Sequence, residues 1–309
     1  MTPDFAILAD GVGATSAFAD RLLSLTVTDA AGKESDAAEI VLDDRDGIVS
    51  LPREGAKLAI SLGYIETGLE YMGLFVVEEV EGSGFPRQLT ITAKAADHRE
   101  TLKEQKTRAW DGRSLGQIVG QIAGEHGLSA AVSGDLANRQ LKHIAQTEES
   151  DQHFLTRLAA RYGAIAAPKD DRLVFAPRGA GLAASGAAMT PVVVGVTDLV
   201  GSSGYSFTLK PRNRFAKVVA SWTDRAGASR REVQAQAAAD AEARKLAREE
   251  GSISLEIVGR PAVRAEAPLT VSGVRAGADG QWTIERVEHR YDPAGAGYTT
   301  SIEAKKGNS

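Results

Sequence analysis

Glu148, Glu149 and Asp151 place three carboxylates within four residues, and a close carboxylate pair is what acid–base cleavage of a sugar linkage requires. The same residues stand where a helix would begin, and acids there are stabilised by the positive end of the helix dipole. A solvated helix start is therefore the simpler reading. The five histidines, His98, His126, His143, His153 and His289, include no pair at the i, i+4 spacing of a helical metal site and no His-Glu-x-x-His. Each is expected to be structural or solvated. Asp43-Asp-Arg-Asp-Gly47 has the look of a calcium loop, but with Gly47 at the sixth position the first and twelfth fall on Leu42 and Arg53. Acids are needed at both, so a turn is expected. Gly11-Val-Gly13 lacks the third glycine and the preceding strand of a dinucleotide site, and no Walker sequence or Gly-x-Ser-x-Gly elbow occurs. With no cysteine, disulfides, thiolate metal sites and thiol nucleophiles are excluded. The residues thus predict no catalytic, cofactor-binding or metal site, and a protein that is not an enzyme.

Composition narrows the class further. At 309 residues, 43% hydrophobic and 25% charged, the chain can bury two or three cores. Lys and Arg number 36 against 41 Asp and Glu, a net charge of −5, which is not the basic footprint of a nucleic-acid binder. Lys210, Arg212, Arg214 and the Arg225–Arg231 turn are read as a protein contact or solvated face. Met1–Asp10 carries acids and no basic n-region, so no signal peptide is expected. No apolar run reaches the roughly 18 residues of a membrane helix, and synthesis and residence in a cytoplasm-like compartment are expected.

The elements that position these residues can be read from periodicity. Leu25, Val27 and Asp29 alternate with Thr26 and Thr28, Leu58, Ile60 and Leu62 with Ala59 and Ser61, and Leu89, Ile91 and Ala93 share a face. Period two predicts strands with one face on a core and the other on solvent or a partner. Ser114 then reads as an N-cap for a helix carrying Leu115, Ile118, Val119, Ile122 and Ala123, with Gly127 beyond its end. A second helix starts after Ser150, with Phe154, Leu155, Leu158, Ala159 and Tyr162 as its apolar stripe and Gly163 as its stop. A hairpin follows, Ile165–Ala167 with Leu173–Phe175. Gly179–Ala188 reads as a linker, Tyr205–Leu209 and Lys217–Trp222 as strands, and Glu232–Glu250 as an Ala-rich helix stopped by Gly251. Ile253–Lys306 returns to strands and turns.

Three blocks recur in the same order. Ala56–Gly63 resembles Ala267–Gly273, Gly73–Glu81 resembles Gly280–Glu288, and Ile91–Lys94 resembles Ile302–Lys305, at offsets of 211, 207 and 211 residues. Alternation slips at the same place in both copies, since Val77 is followed by Val80 and Ile284 by Val287, as a β-bulge in each strand would produce. Gly73, Glu78, Val80 and Glu81 are thus paired with Gly280, Glu285, Val287 and Glu288. The repeat predicts two related β units, one at each end, with an α/β module between them. Such a duplication suits an adaptor, because a homotrimer would present six similar units to a six-fold partner.

Thr147-Glu-Glu-Ser-Asp-Gln-His-Phe-Leu-Thr-Arg-Leu-Ala-Ala-Arg-Tyr-Gly163, followed by Pro168-Lys-Asp-Asp-Arg-Leu-Val-Phe175, resembles the phage late control D family. These are baseplate hub proteins of contractile-tailed phages, similar to the N-terminal part of type VI secretion spike proteins. Ile40–Gly47, Leu51-Pro52, Leu62–Tyr64, Trp110–Val119, His126–Leu128, Gly280–Trp282 and Val287–His289 also fit, so the resemblance runs from about Phe5 to Lys305. Its specific part is the block containing Glu149, Ser150, Asp151, Phe154, Leu155, Arg157, Leu158, Ala159, Tyr162 and Gly163, for which a structural role is expected. The resemblance implies an α+β, β-rich fold with two tube-type β-barrel domains flanking a small α/β domain. The limits expected are 1–96 for the first barrel, 97–178 for the α/β domain, 179–204 for a Gly/Ala-rich linker and connecting strand, and 205–309 for the second barrel with a helix at 232–250. It further implies a homotrimeric hub at the virion tail tip, made in the bacterial host cytoplasm. Such a hub carries the central spike on one side and meets the tail tube or a tube-initiating protein on the other. The tape-measure protein and baseplate wedge are further candidate partners. No needle or lysozyme-like domain follows Ser309, so the spike is expected to be a separate polypeptide. The competing expectation is a cell-wall glycan-binding or glycan-cleaving tail module, resting on the three carboxylates and on the Ser114–Val119 helix start. No cofactor, nucleic-acid binding or membrane insertion is expected.

Overall fold

Alternating apolar residues build most of the molecule. A computed structural model describes residues 1–31, 36–95, 102–169, 172–179, 181–182, 187–200, 204–210 and 251–306. The N-terminal part contains β1 (Pro3–Ala9), β2 (Val12–Gly13), a short helix α1 (Thr15–Ala19), β3 (Leu22–Ala30), β4 (Ala37–Asp43), β5 (Lys57–Tyr64), β6 (Gly68–Ser83) and β7 (Gln88–Ala95). The middle part contains β8 (Gln105–Ser114), α2 (Leu115–Glu125), β9 (Ser129–Val132), α3 (Gly134–Ala137), β10 (Gln140–Ser150), α4 (Asp151–Tyr162), β11 (Ala164–Lys169) and β12 (Arg172–Pro177). The C-terminal part contains β13 (Val192–Gly195), β14 (Tyr205–Leu209), β15 (Gly251–Val258), β16 (Pro268–Ser272), β17 (Gly280–Asp292) and β18 (Gly297–Lys306). A strand, β1, does precede Gly11–Gly13, contrary to the sequence reading, but it turns back on itself through β2 and opens no phosphate-binding helix.

Buried apolar side chains gather in three clusters. Ile7, Leu25, Ile40, Leu58, Ile60 and Phe75 belong to the first, Ile118, Ile122, Phe154 and Phe175 to the second, and Ile253, Leu269, Trp282 and Ile284 to the third. The helices follow their local signals. Ser114 caps α2 in a reciprocal box with Gln117, Ser150 accepts from the His153 N–H at the start of α4, and Gly163 ends α4 at φ 62°. Strands β11 and β12 run to Lys169 and from Arg172, longer than the hairpin expected from sequence. The described part of the Gly/Ala stretch is docked: the Gly179 N–H donates to Glu266 Oε2 at 2.6 Å, and Leu182 bridges Ala188. The expected Lys217–Trp222 strand and Glu232–Glu250 helix lie outside the described residues.

The β architecture differs from two independent barrels. Strands of both ends form one 13-stranded sheet in the order β14-β15-β18-β17-β3-β4-β7-β6-β5-β1-β2, with β16 on β17 and β13 on β16. Among the described residues no pairing closes either half into a barrel. The two halves meet where β3 runs antiparallel to β17, from Ala30 opposite Arg286 to Leu25 opposite Tyr291.

Candidate assembly interface

The repeated blocks occupy equivalent strands. Lys57 pairs with Val76 and Pro268 with Thr283; Leu58 with Phe75 and Leu269 with Trp282; Ile60 with Gly73 and Val271 with Gly280. The next ladder repeats as closely. Val77 faces Ala93 and Ile284 faces Ala304, one residue is skipped, and Val80 faces Ile91 as Val287 faces Ile302. The skipped residues are Glu78 and Glu285, and each reaches the equivalent lysine: Glu78 to Lys94 at 2.5 Å and Glu285 to Lys305 at 3.6 Å. Gly73 and Gly280 both take positive φ, 149° and 131°, which favours glycine at the head of each repeated block. Strand order repeats too: β3-β4-β7-β6-β5-β1 in the first half matches β14-β15-β18-β17-β16-β13 in the second, although β13 runs parallel to β16 where β1 runs antiparallel to β5.

The seam between the halves carries more than its ladder. Asp29, on β3, accepts from Lys169 Nζ at 2.6 Å and from the Ala265 N–H at 2.9 Å, so one carboxylate ties together all three parts of the chain. Burial pushes the Asp29 carboxyl up, but the Lys169 ammonium and the Ala265 N–H outweigh it and hold the pKa below the ordinary value. Tyr64 donates to the Gly259 carbonyl at 2.8 Å, and Tyr298 packs in the N-terminal cluster against Tyr64 with ring centroids 5.6 Å apart. Alternation set Thr28 on the face opposite Leu25 and Val27, where solvent or a partner was expected, and Asp29 on their own face; both are buried at the seam.

Among the histidines, His289 lies buried on β17, 3.1 Å from both Thr300 Oγ1 and the Val263 carbonyl. Burial, and then the charge of Arg264, lower its pKa to about 4. The unfolded chain takes up that proton near the ordinary ~6.5, so stability is expected to fall as pH drops from about 6.5 to about 4. The loss is roughly 3 kcal/mol at most. Urea titrations at pH 7.5 and 4.5 would measure it, and His289→Gln should flatten the slope; an unchanged slope in the variant would assign the effect elsewhere.

The second constellation lies at the start of α4. Asp151 is fully buried and not solvated as the sequence reading had it. Its Oδ2 meets Lys106 Nζ at 2.7 Å and His126 Nε2 at 2.9 Å, and its Oδ1 accepts from Gln146 Nε2 at 2.8 Å and from Arg108 Nη2. Arg108 also donates to both Glu125 oxygens at 2.8 Å and lies over the Trp110 ring, 4.5 Å from its centroid. Burial raises the Asp151 pKa, but hydrogen bonds from His126, Lys106 and Gln146 and the charge of Arg108 bring it to about 2. Ligand atoms of Glu125, His126 and Asp151 lie within 4.8 Å of one another. The two carboxylates are nevertheless bridged by Lys106 and Arg108, so cations of the protein already occupy the positions a metal would take. Next to it, Arg157 grips Glu149 through Nε at 3.0 Å and Nη2 at 2.6 Å and donates to the Ala145 carbonyl. Glu148 is exposed, at φ 47°, and its N–H donates to Thr107 Oγ1 at 3.0 Å. The three carboxylates are therefore not a convergent pair. Phe154, Leu155, Leu158 and Ala159 anchor the helix in the core, and Tyr162 packs at its edge. The sequence reading missed Lys106, Arg108 and Gln146, although Lys106, Arg108 and Trp110 alternate along β8 and so share one face.

Comparison with known proteins places this geometry. The family described as Phage tail baseplate hub (GPD) matches residues 76–250. The probable baseplate hub protein of Escherichia phage P2 is 38% identical over 222 residues, 72% of this chain and 57% of that protein. The chain thus spans little more than half the length of the curated relatives it matches. Among solved structures, the 43 kDa tail protein of prophage MuSo2 from Shewanella oneidensis superimposes with a TM-score of 0.69 at 16% identity, over 98% of this chain and 96% of that one. An Escherichia coli component of the type VI secretion system, itself described as similar to bacteriophage T4 tail proteins, gives 0.58 at 11% identity over 94% of this chain and 74% of that one. At these identities the two structures bear on the fold alone.

Proposed function

The chain belongs to the phage tail baseplate hub family, and from that premise we propose that it is a structural hub at the tail tip of a contractile phage or phage-like particle. In this reading it is a homotrimer that adapts the six-fold tail tube to the three-fold central spike. Its work is geometric: partners dock on it and no substrate is turned over. The observation that carries the reading is the repeated β unit, equivalent in strand order, register and bulge in both halves and already joined edge to edge within one chain. Three copies would offer six such units, matching a six-fold tube with three chains. The three hydrophobic clusters support limits near residues 96 and 178, with 179–204 as the connection and 205–309 as the second tube-type unit. Partners follow from the same reading: a second and third copy, the spike, and the tube or a tube-initiating protein, with the tape-measure protein and baseplate wedge adjoining. The buried network at Asp151 and the Arg157 clamp on Glu149 fit a scaffold, because both consume their carboxylates in internal ion pairs.

The test is the solution mass of the purified chain by light scattering, alone and with the spike protein encoded beside it. A trimer in either condition is expected. A chain that stays monomeric in both would overturn the adaptor reading, and wall-clearing activity lost on Glu149→Gln would replace it with a glycan-directed one.

A further inference from the structure

The hairpin of β11 and β12 reaches out of the middle part and touches the seam on both of its strands. At the hairpin tip, where Lys169 pairs with Arg172, the Lys169 ammonium meets Asp29 Oδ1 on β3 at 2.6 Å and lies 3.8 Å from Asp36 Oδ2. Just past the base, Arg178 meets Glu285 on β17 at 3.4 Å. The three hydrophobic clusters share no residue, and the middle one draws only on residues of the middle part. The described ties between hairpin and seam are thus ionic and no shared core joins them. The two partners at the tip differ in their freedom. The Asp29 side chain is 9% exposed and its other oxygen accepts from the Ala265 N–H, so the anion is fixed inside the seam. The Lys169 side chain is 34% exposed and belongs to the hairpin, so the cation can leave where the anion cannot. Removing one partner of a buried pair costs far more than the pair contributes, because it strands the other charge.

We propose that the hairpin is a strap across the seam: Lys169 neutralises Asp29, and lifting the hairpin tip strands that carboxylate and loosens the junction of β3 with β17. The inference goes beyond the hub reading and does not depend on it. The two events are coupled in both directions, so whatever displaces the hairpin weakens the joint between the β units, and whatever opens the joint frees the hairpin. The groups facing Asp29 are Lys169 on β11, Asp36 before β4, Arg264 before β16 and His289 on β17. None replaces the ammonium at neutral pH. The Arg264 guanidinium is committed to the carbonyls of Pro261, Val263 and Tyr71, and His289, with its pKa at about 4, is uncharged. With Lys169 in place the Asp29 carboxyl lies below its ordinary value, so its contribution is present above ~3.9 and lost as pH falls. Without Lys169, burial, already the largest influence on Asp29, is left to raise it. The sign then reverses: the seam is firmest at low pH and weakens as pH rises past the ordinary ~3.9.

Hydrogen exchange read by mass spectrometry on the full chain reports the seam directly, through the paired stretches Leu25–Ala30 and Arg286–Tyr291, with the β5–β6 ladder and α2 as internal references. In Lys169→Met at pH 7 the seam amides are expected to exchange roughly tenfold or more faster than in wild type while the references hold. Measured against wild type at the same pH, that excess should shrink at pH 4.5. Asp29→Asn keeps an acceptor for the Ala265 N–H and buries no charge. Alone it should leave the seam protected, and added to Lys169→Met it should restore protection. Seam exchange unchanged in Lys169→Met would overturn the strap, because the carboxylate would then tolerate standing alone. A loss of protection as large in Asp29→Asn would overturn it too, because Lys169 would then act as a simple tie. Faster exchange in seam and references alike would count against it in the same way, since the effect would not be local to the seam. Where Lys169→Met does not accumulate as folded protein, recovery on adding Asp29→Asn supports the strap and failure to recover overturns it.

Discussion

Replacing Asp151 with Ala is expected to lower the unfolding free energy at pH 7 by about 3 kcal/mol, the lower end of the cost of stripping one member from a buried ion cluster. The carboxylate is fully buried and receives Lys106, Arg108, His126 and Gln146. Without it Glu125, itself partly exposed, is the one carboxylate left to the two cations among the described residues. Lys106 and Arg108 retain some access to water, with side chains 28% and 21% exposed, and this tempers the penalty. Arg157→Ala, which breaks the more exposed pair with Glu149, should cost less than about 1 kcal/mol. The effect has a pH signature. The Asp151 carboxyl is depressed to about 2 in the folded protein, so its contribution is complete above the ordinary ~3.9 and vanishes as pH falls toward 2. Wild type and Asp151→Ala should converge across that window in chemical denaturation. A variant as stable as wild type at pH 7 would show that the cluster does not hold the middle part together.

Phe75→Ala and Trp282→Ala are expected to cost about 3–5 kcal/mol each, the usual range for emptying a large aromatic site in a core. The two residues are counterparts in the repeat, facing Leu58 and Leu269 across equivalent ladders, and both are almost fully buried. They fill separate clusters, so the two penalties arise independently. Trp282 also donates to the Ala278 carbonyl at 2.8 Å, and its removal leaves that acceptor to find water. Urea titration followed by circular dichroism measures both. A cost below about 1 kcal/mol at one position and several at the other would mean that the halves, although equivalent in register, do not rest on equivalent cores.

Features set by neighbours along the chain were legible from residues alone. Capped helices declare themselves within a few positions, as Ser114 with Gln117 and Ser150 with Gly163 do. The repeated bulge was legible because a bulge shifts side-chain parity by one, and Val77–Val80 and Ile284–Val287 show that shift in the residue pattern itself. Only the tertiary structure decided what arrives from afar. Asp151 reads as a solvated helix start because acids are common there; its burial depends on Lys106 and Arg108, delivered by a strand more than 40 residues away. Asp29 reads only as a strand residue on the face of Leu25 and Val27, because period two reports the faces of one strand and not what meets them. Its partners Lys169 and Ala265 lie 140 and 236 residues on, and no local pattern encodes a meeting across that distance. Likewise the repeat predicted two β units but not that they share a sheet, since alternation specifies which face of a strand is apolar and leaves open which edge another strand will take.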